Sequence, residues 1–307
     1  MTSCRSDMPN RFLRPEFFHR PRQAIRAIRQ RLTGDPKDPV VCPLPWGSAI
    51  LVDVHDYIGH RVFRHGVTAL EACEAAFRLL KKGDIAIDAG ANQGVVTSAM
   101  SINVGRSGCI FSIEMLPETF QKLEHNIKAW GAQGSCVRPI NAAVSDRKGL
   151  IQVGLSPDFS NNSGVAYATH DGVVSGHETR EVECITLDDL LSGMESIQLL
   201  KLDVERHEYA ALCGAAQLLN EHRIRHLIFE DHVSGNSEPK QLLRKNGYTV
   251  FSVKSDLLKP SLRPCGNDLR AEPSDCYQDF IATCDEQALQ SAYQRPGYLC
   301  LSRRARE

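Results

Sequence analysis

The stretch GDIAIDAGANQGVVTSAM, Gly83 to Met100, sets Asp88 just before a glycine-bearing turn at the end of an apolar run. The run has the length of a buried strand. The Ala/Gly/Asn/Gln segment has the composition of a tight turn, and the residues after it read as the start of a helix. Strand, turn and helix in that order are a recurring way to build a nucleotide site, and several unrelated cofactors use it. The rest of the chain has to decide between them.

Beyond Gly83 the pattern alternates. The sequence predicts strands near Ile85–Asp88, Cys109–Glu114, Val137–Ala142, Gln198–Asp203, His226–Glu230, Thr249–Val253 and Phe280–Thr283. Helices are predicted between most of them, notably over Pro117–Trp130 and Arg206–Leu219. Such alternation implies a mostly parallel sheet with helices on both faces. Ligands of these sheets bind beyond the carboxyl ends of the strands, near the point where the strand order reverses.

The residues just past the strands are therefore the informative ones. Asp88, Gly90, Asn92 and Gly94 follow the first strand, and glycine lets a backbone approach a ligand closely. Glu114 ends the second strand, 26 residues after Asp88, and is suited to gripping a ribose diol. A dinucleotide site also wants an acid there, but its fingerprint is G-x-G-x-x-G, whereas here the turn runs G-A-N-Q-G. An aspartate beside a pyrophosphate is unfavourable. Beside the ammonium and sulfonium of S-adenosylmethionine it is harmless or helpful, so charge favours that cofactor over NAD. The plain alternative is an ordinary strand-to-helix turn with a capping aspartate.

Composition sets wider bounds. The 307 residues are 42% apolar and 24% charged, ordinary for a globular chain with a real core. A formal charge of -1 argues against the whole chain acting as a binder of nucleic acid or membrane surfaces. No apolar run is long enough to span a bilayer. The 11 cysteines stand singly with no C-x-x-C pair, which favours buried thiols in a reducing cytoplasm over a disulfide framework or structural zinc.

Residues 1–40 form a basic segment expected to be flexible. Up to Leu32 it carries eight arginines against Asp7 and Glu16, with Ile25, Ile28 and Leu32 at helical spacing and a stop at Gly34-Asp35-Pro36. A targeting sequence or polyanion-binding arm is one reading, and a solvated basic tail with one short helix is the other. Residues 41–82 read as a lead-in subdomain of one or two short strands and an amphipathic helix. That helix runs from Leu70 to Leu80, with Leu70, Cys73, Phe77 and Leu80 on its stripe. Residues 83–307 then form the main domain.

Five segments in order give the chain a family likeness: IDAGANQGVVTSAM, IFSIEMLPETFQKLEHNI, NAAVSDRKG, ECITLDDLL and LLKLDVERHE. Together with PWGSAILVDVHDYIGHRVFRHGV upstream, they resemble the FkbM family of S-adenosylmethionine-dependent methyltransferases over Leu44 to Val253. Met115 departs from the usual proline, and Arg206 from the usual glycine. The resemblance implies a class I methyltransferase (Rossmann-like) fold. That is a mostly parallel seven-stranded sheet with helices on both faces and the last strand inserted antiparallel. It also implies S-adenosyl-L-methionine as cofactor and a small-molecule hydroxyl acceptor such as a sugar or lipid; from the near-neutral charge, no nucleic-acid partner is expected. Asp88, Gly90, Asn92 and Gly94 would cradle the methionine part, Glu114 the ribose, and Ala142, Ala143 and Val144 the adenine, with Ser145 and Asp146 nearby.

A hydroxyl acceptor must lose its proton, so a general base or a metal would help. Asp203 at the end of the fourth strand, with Glu205 and Glu208 after it, are the candidate catalytic residues. Tyr209, Leu212, Cys213, Ala216 and Leu219 read as the buried stripe of the following helix. Acids at a helix start also complement its dipole without any catalytic duty, and His207 reads as a surface histidine. Glu230, Asp231 and His232 after the fifth strand either join Asp203 around a divalent metal or form a polar loop. Residues 150–184 read as a hairpin insertion over the site rim, residues past Lys254 as a long irregular connection, and GYLCLSRR as an edge strand. Two other functions stay open: a catalytically inactive methyltransferase-like binding protein, to which Arg206 is the pointer, and an NAD-dependent oxidoreductase.

Overall fold

A computed structural model describes residues 14–155, 166–169, 178–231, 235–265 and 278–302. Its central sheet has eight strands: β1 (Ile85–Ala89), β2 (Cys109–Glu114), β3 (Val137–Asn141), β4 (Ile197–Leu202), β5 (Ile224–Asp231), β6 (Thr249–Ser255), β7 (Pro260–Pro264) and β8 (Gln278–Thr283). Their order is β7-β6-β8-β5-β4-β1-β2-β3. The pairs from β5 to β3 are parallel, while β8 runs antiparallel between β5 and β6. This is the class I methyltransferase arrangement, an α/β fold around a mixed, mostly parallel sheet.

Two expectations about the sheet need correction. It has eight strands, not seven, because β7 adds to the edge of β6 from inside the segment expected to be an irregular connection. The C-terminal GYLC segment forms no strand; Tyr298, Cys300 and Leu301 are instead buried as plugs.

Strand geometry explains the two cores. Side chains alternate across a sheet. Accordingly Ala86, Ile110, Leu199 and Ile228 enter one apolar cluster, and their neighbours Ile87, Phe111, Leu200 and Leu227 enter the other. Both faces are covered, so the inner strands read as nearly unbroken apolar runs. The first cluster also takes in the N-terminal hairpin (Val40–Pro43 with Ala49–Val52) and the helix Leu70–Leu79. A further helix, Tyr57–His65, stands where the sequence reading has only strands, between an Asp56 cap and a left-handed Gly66. A second, four-stranded sheet joins Ala143–Val144, Gly149–Leu155, Ala166–Thr169 and Glu178–Ile185. Its arms pair antiparallel from Gly149↔Cys184 to Leu155↔Glu178, the hairpin expected within residues 150–184. The middle of that insertion lies outside the described residues.

The helix Leu70–Leu79 is buried on all faces, not amphipathic, although it contains Glu74 and Arg78. The two form an ion pair of 2.7 Å one helical turn apart. Glu74 also accepts hydrogen bonds from the amides of Leu299 and Cys300, and Arg78 donates to the carbonyls of Ala292, Arg295 and Gly297. A buried pair is tolerable only when its remaining lone pairs and protons are satisfied, as here. Glu74→Ala would leave the guanidinium and two amides stranded, and we expect it to lower stability by about 3–5 kcal/mol in urea unfolding. An unchanged midpoint would show that the pair contributes nothing.

Candidate active site

The strand order reverses between β1 and β4, and the register there sets Asp88 beside Lys201 and Ala89 beside Leu202. The chain leaves β1 into the Gly90–Gly94 turn and leaves β4 into the Asp203–Glu208 turn, so both turns border one crevice.

The first turn is held by its own polar atoms. Asp88 is fully buried; one carboxylate oxygen accepts from the Thr97 hydroxyl at 2.6 Å, and the other pairs with Lys201 Nζ at 3.3 Å. These two contacts anchor the start of the turn from below. Gly90 (φ +75°) and Gly94 (φ +96°) are left-handed, as is Asn92 (φ +49°). Closeness to a ligand is not what makes Gly90 necessary: a Cβ there would stand 1.8 Å from the Asp203 carbonyl oxygen. At Gly94 it would meet Leu123 at 2.8 Å. The glycines bring the two turns together.

Glu114 is buried at the end of β2. Its two oxygens accept from the amides of Asn92 at 2.9 Å and Leu116 at 3.0 Å, which ties the turn to the strand. Burial pushes its carboxyl up and these two amides pull it partly back. Each oxygen keeps a second lone pair for a diol. Ala143 faces the small sheet's apolar core with Leu116, Ile151 and Val182, and Ala142 and Val144 are buried as well. The next residue, Ser145, is fully buried and hydrogen-bonded to His207 Nε2 at 2.9 Å, whereas Asp146 is exposed. His207 is thus a buried tether between two loops, not a surface residue.

In the second turn Glu205 (φ +51°) and Arg206 (φ +69°) are both left-handed. That conformation is why a glycine suits position 206. The arginine itself is exposed, so its bulk does not fill the crevice. Glu208 opens a helix of only six residues, Glu208–Cys213, and its carboxylate accepts from the amides of Val204 (3.1 Å) and Arg206. It caps the turn. The helix predicted over Arg206–Leu219 breaks at Gly214, whose Cα presses so closely on the Ser145 carbonyl that a Cβ would lie 2.0 Å from it. The break shifts the helical phase. Ala211, Leu212, Ala215, Leu218 and Leu219 are buried, while Tyr209 and Ala216 of the predicted stripe are exposed.

Charge is concentrated here. Lys201 projects from β4 under both turns and donates to the Gly90 carbonyl at 2.6 Å and the Ala89 carbonyl at 3.3 Å. It also pairs with Asp203 at 3.4 Å. Burial alone would lower its pKa, but Asp203 and Asp88 more than reverse that and hold the ammonium above its usual value. Burial lifts Glu205 to about 8, with Asp203, Glu230 and Glu208 adding repulsion. Glu208 rises to about 7 by burial against its amide bonds, and Glu230 to about 7 by burial plus Asp203 and Glu208. Asp279, which pairs in register with Glu230 on β8, is pushed well above the carboxylate range by burial and by Glu71, Glu230 and Asp203. Sequence reasoning misses Lys201 and Asp279, though a lysine inside the apolar run of β4 is a signal in itself.

Asp231 turns the other way. It accepts from the Ser237 hydroxyl and pairs with Lys240 at 3.1 Å. His232 lies outside the described residues. Among the described residues, no three His, Cys, Asp or Glu side chains gather as metal ligands. Among the described residues the crevice gathers more acidic groups than the buried Lys201 ammonium pairs with, several of them holding protons that a cation would displace, which suits a cofactor carrying an ammonium and a sulfonium and opposes a pyrophosphate.

The model of the methyltransferase FkbM domain matches residues 88–250, more than half of the chain. The chain belongs to the FkbM family of methyltransferases, for which S-adenosylmethionine is the expected cofactor. Among solved structures, an FkbM methyltransferase from Methylobacillus flagellatus aligns at 14% identity and a TM-score of 0.39, over 66% of this chain and 43% of that one. This chain therefore spans less than half of that relative's length. A SAM-dependent O-methyltransferase from Thermotoga maritima aligns at 18% identity and a TM-score of 0.36, over 82% of this chain and 94% of that one. Fibrillarin from Aeropyrum pernix, with natively bound S-adenosyl-L-methionine, aligns at 16% identity and a TM-score of 0.36, over 66% and 67%. A search of curated proteins gave no match.

The left-handed Arg206 yields a direct test. Arg206→Gly removes a backbone penalty of about 1–2 kcal/mol and adds roughly half that in unfolded-state freedom, so a net gain of about 0.5–1 kcal/mol is expected in urea unfolding. A loss instead would mean that the arginine's own contacts outweigh the strain.

Proposed function

We propose that this chain transfers the methyl group of S-adenosylmethionine to a hydroxyl of a small molecule such as a sugar, a lipid or another natural product. The observation that carries the reading is the cluster of acidic groups, more than Lys201 pairs with, where the β1 and β4 turns meet. When bound, the cofactor supplies an electrophilic methyl on a positively charged sulfur, so positioning provides much of the rate. The Gly90–Gly94 turn, stiffened by Asp88, Thr97 and Glu114, forms the cradle for its methionine part and ribose.

The acceptor's proton needs a base whose pKa lies near the working pH. Glu205, lifted to about 8, meets that condition. It stands in the turn without the amide bonds that occupy Glu208, so we assign proton acceptance to Glu205 and turn capping to Glu208. Asp203, held by Lys201, fixes the negative field of the crevice. The exposed position of Arg206 keeps its bulk out of the crevice, which supports the active reading over an inactive binding protein.

Binding is tested by calorimetry with S-adenosylhomocysteine and with NAD in parallel. The thioether should bind in the micromolar range and NAD should not, with Asp88→Ala abolishing the signal; the reverse preference would sink the reading. In an assay with a hydroxyl acceptor, Glu205→Gln should keep cofactor binding and lower kcat by about 100-fold or more. The wild-type rate should rise with pH toward a plateau above about 8, and the variant should lose that limb.

Stability should depend on pH with a definite sign. Glu205, Glu208 and Glu230 have folded pKa values of about 8, 7 and 7, all above the unfolded carboxylate value of about 4.3. The folded chain thus binds more protons than the unfolded chain between those limits. The contribution of these groups to stability is full below about pH 4.3 and is lost as pH rises to about 8. Ligand-free melting temperatures should fall across this window, while the preference for S-adenosylmethionine over S-adenosylhomocysteine should grow. Equal pH profiles for the two ligands would show that the carboxylates do not sense the sulfonium.

A further inference from the structure

The helix Pro21–Thr33 sits on the protein with its polarity reversed. Gln23, Ala27 and Gln30 form its buried face, and Gln23 donates to the Arg64 carbonyl at 3.0 Å. Arg26 lies over the Phe63 ring. The apolar side chains point outward instead: Ile25 is 67% exposed, Ile28 46% and Leu32 84%. Phe18, three residues before the helix, is 52% exposed.

On a helical wheel Ile25, Ile28 and Leu32 share one stripe. Arg22 and Arg29, both exposed and two turns apart, run along one edge of it, and the helix contains no acid. An apolar ridge of this kind in water is unfavourable unless something covers it. A stripe of Ile and Leu bordered by arginine is the pattern of a helix lying in a membrane interface, with apolar side chains among the acyl chains and guanidinium groups among phosphates. A partner protein with an apolar groove would need acids placed to meet both arginines, whereas an anionic bilayer meets them anywhere.

We propose that this face docks the enzyme on an anionic lipid surface, peripherally and without crossing it. The near-neutral charge of the whole chain does not oppose this, because the basic residues are concentrated locally: eight of the chain's arginines fall within its first 32 residues. No helix among the described residues is long and apolar enough to cross a membrane, and the docking needs none.

The test is co-sedimentation of the full chain with vesicles of phosphatidylcholine alone and with vesicles of phosphatidylcholine and phosphatidylglycerol in equal parts. Wild type should bind the mixed vesicles at least about tenfold more tightly. Arg22→Gln with Arg29→Gln should lower that affinity roughly 30-fold, and raised salt should do the same to wild type. Ile25→Ser with Leu32→Ser should also release the chain from the mixed vesicles. All four side chains are exposed, so both double variants should melt as wild type does, which separates lost docking from lost folding. Equal binding to both vesicle types, no binding, or binding that neither double variant changes would overturn the proposal. So would a dimer in gel filtration that Ile25→Ser with Leu32→Ser dissolves, since that would assign the face to a second copy of the chain.

Discussion

One buried ammonium, that of Lys201, holds the crevice together. It comes up from β4 between two acids of neighbouring strand ends, Asp88 and Asp203, and donates to the carbonyls of Ala89 and Gly90, where β1 passes into the glycine turn. Without it, Asp88 would be a fully buried carboxylate with only a hydroxyl for company, a costly arrangement. With it, the β1 turn and the β4 turn are fixed to one another across the sheet. The Gly90 backbone can then pass so close to the Asp203 carbonyl that no side chain fits between them. What the cation leaves unbalanced is equally important. Glu205, Glu208, Glu230 and Asp279 gather around the same opening and compete for protons.

Much of this is legible in the chain. The inner strands announce themselves because burial on both faces demands continuous apolar runs, so β1, β2 and β4 fall where expected to within a residue. The acids after them are also readable, since open α/β sheets place their sites at the carboxyl ends of strands. Other features depend on tertiary packing. β7 begins and ends with proline, which hides a strand that survives because it pairs along only one edge. Gly214 breaks a helix through contact with Ser145, 69 residues away, and no local pattern records that contact. The short helix Tyr57–His65 does carry its signals, an Asp56 cap and a terminal glycine, but it is brief enough to be taken for part of the strand region.

The glycines give the clearest contrast between local and tertiary reasoning. From sequence, they suggest room for a ligand. In the structure, their immediate duty is toward the protein, Gly90 toward Asp203 and Gly94 toward Leu123 and Trp130. A nucleotide-type turn is built by making the surrounding chain fit first; the cradle is what remains. Glu114 shows the same priority, spending one lone pair of each oxygen on backbone amides before any diol arrives.

The capture of Leu299 and Cys300 by Glu74 has a bearing on how the molecule is made. Those amides lie more than 220 residues along the chain from the carboxylate that receives them. Glu71, one turn earlier on the same helix, reaches the acidic opening electrostatically. During synthesis the helix is complete long before its last partners emerge. At about 5–20 residues per second, the wait is on the order of ten seconds or more. Until then a buried glutamate and arginine have only each other and solvent, and closure of so long a loop is slow. The helix Leu70–Leu79 therefore keeps its ion pair without these two amides until residues 299 and 300 have emerged.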